Sequence, residues 1–238
     1  HRAITFLHQL TNRLQERRTP RDPDIDLPEL RVITAKNKTT IEPIPNQLAH
    51  RIIHELSILS GIAIGRWCQE NDLPAIYETR DEIEDIESIR EIEHPVVRRH
   101  EIARNTPQTK KSESPEYHHA LGVSTYCPIY DANNQYGHLV MQRQINHHRQ
   151  HNTPHYTDED LHALRFQIQD LQAITKGIVF RRQRDLLLQH WEQHIGQEFE
   201  ATVLHIKRHG VLVELKTAPY KTIVYPNHTV QLGEALTL

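Results

Sequence analysis

This sequence is poor in several things that define function classes. Only two residues are cysteine and one is methionine, out of 238. Cys68 and Cys127 lack the CxxC spacing of a thiolate metal site or redox motif. They fit two small buried residues in a reducing compartment, with a single disulfide between them left open. Aromatic residues make up only 6%. No apolar run approaches the roughly 18 residues that a membrane span needs. The first 18 residues are amphipathic and basic and do not read as a signal peptide. With 8 glycines and 13 prolines, collagen-like and low-complexity arrays are excluded. No Gly-rich phosphate loop, Ser/His/Asp set or cysteine-nucleophile pattern stands out. The sequence opens on His1, and its methionine, Met141, lies far inside, which leads us to expect a piece of a longer polypeptide.

Histidine is abundant instead, at 19 residues, and the formal net charge of −3 hides its titration. With a pKa of ~6.5, about three quarters of the histidines are protonated at pH 6, adding roughly fourteen charges. The net charge then becomes about +11, so any polyanion binding should strengthen with acid.

Ile4, Leu7, Leu10 and Leu14 recur at helical spacing and end on Arg13, Arg17 and Arg18. Leu30–Ala35 and Thr39–Ile44 flank Asn37-Lys38 as a hairpin. A long helix then carries Leu48, Ile52, Leu56, Leu59, Ala63 and Trp67 as its apolar stripe. Residues 78–93 hold eight acids, and Ile83, Ile86, Ile89 and Ile92 sit three apart, a spacing that drifts around an α-helix. A short helix or irregular acidic surface is predicted there, followed by a loop-rich stretch over 94–119. A helix around Leu139–Ile145 leads into Asn146–His155, read as a polar loop with four histidines. Thr157 or Asp158 caps the next helix, striped by Leu161, Leu164, Ile168, Leu171, Ile174 and Ile178 and running to His194. From Gly196 the period changes to two, giving about four strand candidates before Leu238. A five-stranded barrel would need more chain.

The order of segments resembles the RNB (ribonuclease II / RNase R) family. Ile25-Asp26-Leu27-Pro28-Glu29 before a hairpin, then Glu55-Leu56-Ser57-Ile58-Leu59, is similar to its "dlPE" strand and "hE-MILA" helix. Pro115-Glu116-Tyr117-His118-His119-Ala120-Leu121-Gly122 resembles its "P-H-GLGL" segment. Tyr126 to Ile145, ending Leu139-Val140-Met141-Gln142-Arg143-Gln144-Ile145, resembles the stretch that contains T-S-P-x-R-R-Y. The resemblance implies an α+β fold: the C-terminal part of an RNB domain over residues 1–195, then a small S1-type OB-fold β-barrel over 196–238, incomplete here. It implies single-stranded RNA as the partner, a cytoplasmic location without a membrane, and a further partner in the form of another protein or of preceding polypeptide.

The departures from the pattern bear on activity. The two family arginines stand here as Asn134 and Gln135, and the following aspartate as His138. A guanidinium gives phosphate a charged, bidentate fork, whereas an amide gives neutral donors. Losing one positioned donor at a transition state costs about 10²–10³ in rate. Family members hydrolyse RNA 3′→5′ with Mg²⁺ held by aspartates, because Mg²⁺ wants hard oxygen ligands. The family's aspartate run is absent from this sequence. Asp22, Asp24 and Asp26 alternate but fall in the "dlPE" position, so no metal, cofactor or catalytic residue is assigned. In the last segment the family's two RNA-facing aromatics fall at His209-Gly210 and Leu212.

The RNA-binding set expected on these grounds is Tyr126, Tyr130, Asn134, Gln135, Tyr136, Arg143, Arg181, Arg182, Arg184, Lys207, Arg208, His209 and Lys221, at least one of the tyrosines belonging to the core. Lys216 adds basic surface, and Tyr220 and Tyr225 offer rings for stacking. His147, His148, His151 and His155 match no metal-site spacing and read as solvated. His118 reads as a structural hydrogen-bonding group. The expectation is an RNA-binding homologue that does not hydrolyse RNA. The alternatives are an active exoribonuclease with its metal site upstream, a protein-binding scaffold, and an unrelated helical protein carrying an OB module.

Overall fold

The computed structural model describes residues 2–18, 30–35, 38–43, 48–217 and 220–238; between 30 and 43 only the backbone and the Thr40 side chain are described. In chain order the elements are α1 (Arg2–Arg17), β1 (Leu30–Ala35), β2 (Lys38–Pro43), α2 (Leu48–Glu70), β3 (Tyr77–Thr79), α3 (Ile86–Arg90), α4 (Pro95–Asn105), β4 (Lys110–Ser112), α5 (Tyr136–His151), α6 (Asp158–Glu192), β5 (Glu200–Lys207), β6 (Gly210–Leu215), β7 (Lys221–Val224) and β8 (Ala235–Thr237). The mixture of helices and small antiparallel sheets makes the chain α+β. It divides into two compact units, one of residues 1–24, 46–82 and 107–176, the other of 25–45, 83–106 and 177–238.

In the first unit α1 packs on α2. The buried face of α2 is Ile52, Glu55, Ile58, Gly61, Gly65 and Cys68. The predicted stripe is displaced from it: Leu48 and Leu59 are exposed. Close approach decides the face. The Tyr126 ring fills the space a side chain at Gly61 would need, and Thr125 Oγ1 lies 2.7 Å from a Cβ built on Gly65. The Cys127 amide donates to Gly61 O at 3.0 Å. Small residues carry no hydrophobic signal, so the packing seam is silent in the periodicity.

Helix α5 runs through His147, His148 and His151. The predicted histidine loop is therefore mostly helix, and only residues 152–157 connect it to α6. The fully buried Gln144 sets this connection. Its Oε1 accepts the amides of His155 (2.9 Å) and Tyr156 (2.7 Å), and its Nε2 donates to Pro74 O (2.9 Å) and Tyr156 O (3.0 Å). Thr157 caps α6: its Oγ1 accepts the Asp160 amide at 3.2 Å while the Asp160 carboxylate accepts the Thr157 amide at 3.0 Å. Met141, Val140, Leu161, Ile168, Ile76 and Tyr77 close the core.

In the second unit β1 and β2 pair antiparallel from Leu30↔Pro43 to Ala35↔Lys38. The acidic segment forms the short α3, and its isoleucines turn inward. Ile83, Ile89 and Ile102 are buried, with Ile86 and Ile92 against them. Of the stretch over 94–119, only the part after Asn105 is loop-rich as predicted; the first part is helix. Pro95 opens α4, whose first position tolerates a missing amide, and Val97 and Ile102 anchor it. The last four strands form one antiparallel sheet in the order β7-β6-β5-β8. Among the described residues β7 and β8 do not pair, so this sheet is open. The register shifts between Val203 and His205, which lets Val203 and Leu204 both be buried. Trp191 of α6 packs on the sheet's core, its ring 5.2 Å from Phe199 and 5.5 Å from Tyr220.

Candidate nucleic-acid interface

Residues 130–138 comprise a tight turn and the first residues of α5. The amides of Asn134 and Gln135 both donate to Asp131 O, at 3.3 and 2.8 Å. The Asn134 side chain turns back, its Nδ2 donating to Asp131 Oδ1 at 2.8 Å. The Gln135 side chain reaches the other way, and its Oε1 accepts from Gln172 Nε2 at 3.1 Å. His138 is 5% exposed and closes the turn from beneath, its Nδ1 accepting the Asp131 amide at 3.2 Å. Burial lowers the pKa of this imidazole, and Lys111 adds to the effect, so it stays a neutral acceptor. The exposed Tyr130 ring lies 5.1 Å from it. Burial raises the Tyr130 pKa, with Glu78 and Asp131 contributing, so the phenol keeps its proton as a donor. Tyr136 is exposed at the start of α5.

A buried polar layer belongs to the same unit. Lys111 of β4, 7% exposed, is paired with Glu78 of β3. The Tyr126 carbonyl accepts the Glu78 amide at 2.8 Å, fixing the strand that leads to the turn. Tyr126 is 6% exposed, so this one of the three tyrosines belongs to the interior. Its ring meets His118 edge-on at 5.8 Å. His118 is itself 4% exposed, and its Nδ1 accepts the Leu121 amide at 3.3 Å. Burial pushes the His118 pKa down to about 4. The pairing of Glu78 with Lys111 and the reach of Gln172 to Gln135 gave no signal in the sequence, because their partners lie more than thirty positions away.

A second feature lies on the strands of the other unit. A groove of about 490 Å³ is lined by Lys207, His209, Gly210, Tyr225, Pro226 and His228, among others. Tyr225 is 75% exposed, so its ring is open to stacking. Gly210 has φ +124°, and a Cβ there would stand 3.0 Å from the Tyr225 ring and 2.8 Å from Ile223 Cγ2. Lys207 and His209 are thus brought together, with Pro226, His228 and Thr229 added by the structure.

The other expected contacts fall elsewhere. Arg143 is exposed on α5, and Arg181, Arg182 and Arg184 are exposed on α6, with Arg181 Nε donating to Gly177 O at 3.3 Å. Arg208 is exposed at the β5–β6 turn. Lys221 is engaged internally: it lies 3.8 Å from Glu214, which Arg99 also pairs, and 3.1 Å from His100 Nδ1. Asp22, Asp24 and Asp26 lie outside the described residues. Among the described residues no three His, Cys, Asp or Glu side chains converge to hold a metal ion, the histidines of α5 included. The described residues therefore do not supply the oxygen set that Mg²⁺ requires. No described helix is long and apolar enough to cross a membrane.

Residues 1–151 match the family model of the RNB domain. No curated protein matches the chain. Among solved structures, it is similar to RNase R of Mycoplasma genitalium in complex with ribose-methylated single-stranded RNA, with TM-score 0.79 and 13% identity over 99% of this chain and 46% of that one. It is similar to an active-site mutant of the Dss1 exoribonuclease from Candida glabrata, with TM-score 0.83 and 16% identity over 98% and 32%. It is also similar to yeast Ssd1, described as a pseudonuclease, with TM-score 0.64 and 14% identity over 93% and 33%. At identities this low, the TM-scores establish a shared fold alone. The chain spans between about a third and just under half of the lengths of these structures.

Proposed function

This chain belongs to the RNB family, and we propose that within it the chain binds single-stranded RNA without hydrolysing it. The observation that carries the reading is the 130–138 turn. Where the family pattern has two guanidinium groups, this turn has two amides, and one of them is spent on Asp131. Amides can hold an RNA backbone through neutral hydrogen bonds. They cannot supply the fixed positive charge that a phosphoryl transition state draws on. The described residues offer no converging carboxylates that would hold Mg²⁺.

Binding is ascribed to two surfaces, each in its own unit. One is the exposed edge of the turn, with Tyr130, Gln135 and Tyr136. The other is the strand groove, where Tyr225 stacks a base and Lys207 meets phosphates. Residues 196–238 are read as an S1-type OB module and residues 1–195 as the RNB-like part. A cytoplasmic location and a further partner, another protein or more of the same polypeptide, complete the proposal.

The test is binding of a fluorescently labelled single-stranded RNA followed by anisotropy at several salt concentrations. The reading expects measurable affinity with log K falling linearly with log salt. Absence of binding at low salt and pH 6 would remove it.

A further inference from the structure

We infer that Gln172 of α6 is a positioning residue: it holds Gln135 so that the Gln135 amino group faces outward as a hydrogen-bond donor to the RNA backbone. The inference rests on the RNA-binding reading above. Gln172 Nε2 donates to Gln135 Oε1 at 3.1 Å, and both residues are partly buried. A side-chain amide has one acceptor end and one donor end. With its oxygen committed to Gln172, Gln135 leaves its Nε2 uncommitted, since no described residue accepts from it. The neighbouring Asn134 has the opposite arrangement, its nitrogen being used on Asp131 at 2.8 Å. Asn134 Nδ2 keeps one N–H beyond its bond to Asp131, whereas both N–H groups of Gln135 Nε2 are uncommitted among the described residues.

The backbone beneath Gln135 is fixed as well. Its amide donates to Asp131 O at 2.8 Å, and its carbonyl accepts the amides of His138 and Leu139 at 3.0 and 3.2 Å. The remaining freedom is rotation of the side chain, which includes exchange of the amide's two ends. The bond from Gln172 Nε2 favours the orientation in which Gln135 Oε1 points to α6. RNA presents only acceptors on its phosphates, so an outward nitrogen attracts them and an outward oxygen does not. The donor is neutral, and its contact releases no counterion.

The test is a double-mutant cycle on RNA affinity with Gln135→Met, Gln172→Met and the pair. Methionine keeps the length and removes the hydrogen bonding. A neutral hydrogen bond is worth about 3- to 10-fold in affinity. We expect each single variant to lose that factor, the pair to lose no more than either one, and all salt slopes to stay parallel to the parent's. A purely structural role for Gln172 would instead shift the melting temperature or change the salt slope. Unaltered affinity of Gln172→Met beside a weakened Gln135→Met overturns the positioning role, as do fully additive losses or unaltered affinity of Gln135→Met. If the parent binds no RNA at all, the RNA-binding reading fails first and takes this inference with it.

Discussion

Gly210 and Tyr225 are fitted to one another: a Cβ on Gly210 would stand 3.0 Å from Tyr225 Cε1. The glycine also holds φ at +124°, where a side chain is strained. The groove wall is therefore built around a missing side chain. Gly210→Ala should destabilise the strand-rich unit by about 1–3 kcal/mol and weaken RNA binding with it. Urea unfolding of parent and variant checks the first effect; an unchanged midpoint contradicts it.

Tyr225→Ala separates binding from folding. The ring is 75% exposed, so its removal should leave stability within about 0.5 kcal/mol. Loss of a stacked base should cost about 1–3 kcal/mol of binding, read by anisotropy. Equal affinity would mean that no base stacks there.

Gln144 makes four hydrogen bonds inside the first unit and is fully buried. Gln144→Leu keeps the approximate size and leaves two amides and two carbonyls without their partner. Each unsatisfied buried group costs about 1–3 kcal/mol, so the variant should lose at least about 3 kcal/mol. Native-state hydrogen exchange should report the loss first at the His155 and Tyr156 amides. Slow exchange there in the variant would contradict this role.

Acid should act on stability and on binding in opposite directions. Burial holds the His118 pKa at about 4, against ~6.5 in an unfolded chain. As pH falls, the unfolded chain takes up this proton first. The contribution is whole above about pH 6.5 and is lost as pH falls from there through about 4, by about 3 kcal/mol in total. The rising net positive charge of the chain in the same window should strengthen RNA binding. Denaturation at pH 7 and pH 4.5 should show a shallower pH slope for His118→Gln than for the parent. Equal slopes would assign the pH dependence to other groups.

The long helices and the period-two strands were legible because their apolar residues repeat locally, although of the predicted α6 stripe Leu171, Ile174 and Ile178 are exposed and only Leu161 and Ile168 are buried. Helices α1, α2 and α6 and the four last strands follow from that alone. Three features escaped for physical reasons. The α2 seam turns on Glu55, Gly61 and Gly65, which carry no hydrophobic signal. Helix α4 hides behind Pro95 and paired valines, which read as extended. The α5 histidines extend a helix because Gln144, earlier in the same helix, anchors the chain beyond its end, not because of their own pattern. In the candidate interface, the Asn134, Gln135 and His138 departures were visible in the sequence. Gln172, Glu78 and Lys111 were not, since their roles come from contacts across the fold.

The central claim is that RNA is bound and not cut. The direct measurement uses 3′-labelled single-stranded RNA with Mg²⁺ and the chain in the context of its longest natural polypeptide, scoring binding and release of labelled nucleotide together. The account predicts salt-dependent binding with no release above the protein-free control. Processive 3′→5′ release of labelled mononucleotide would contradict it.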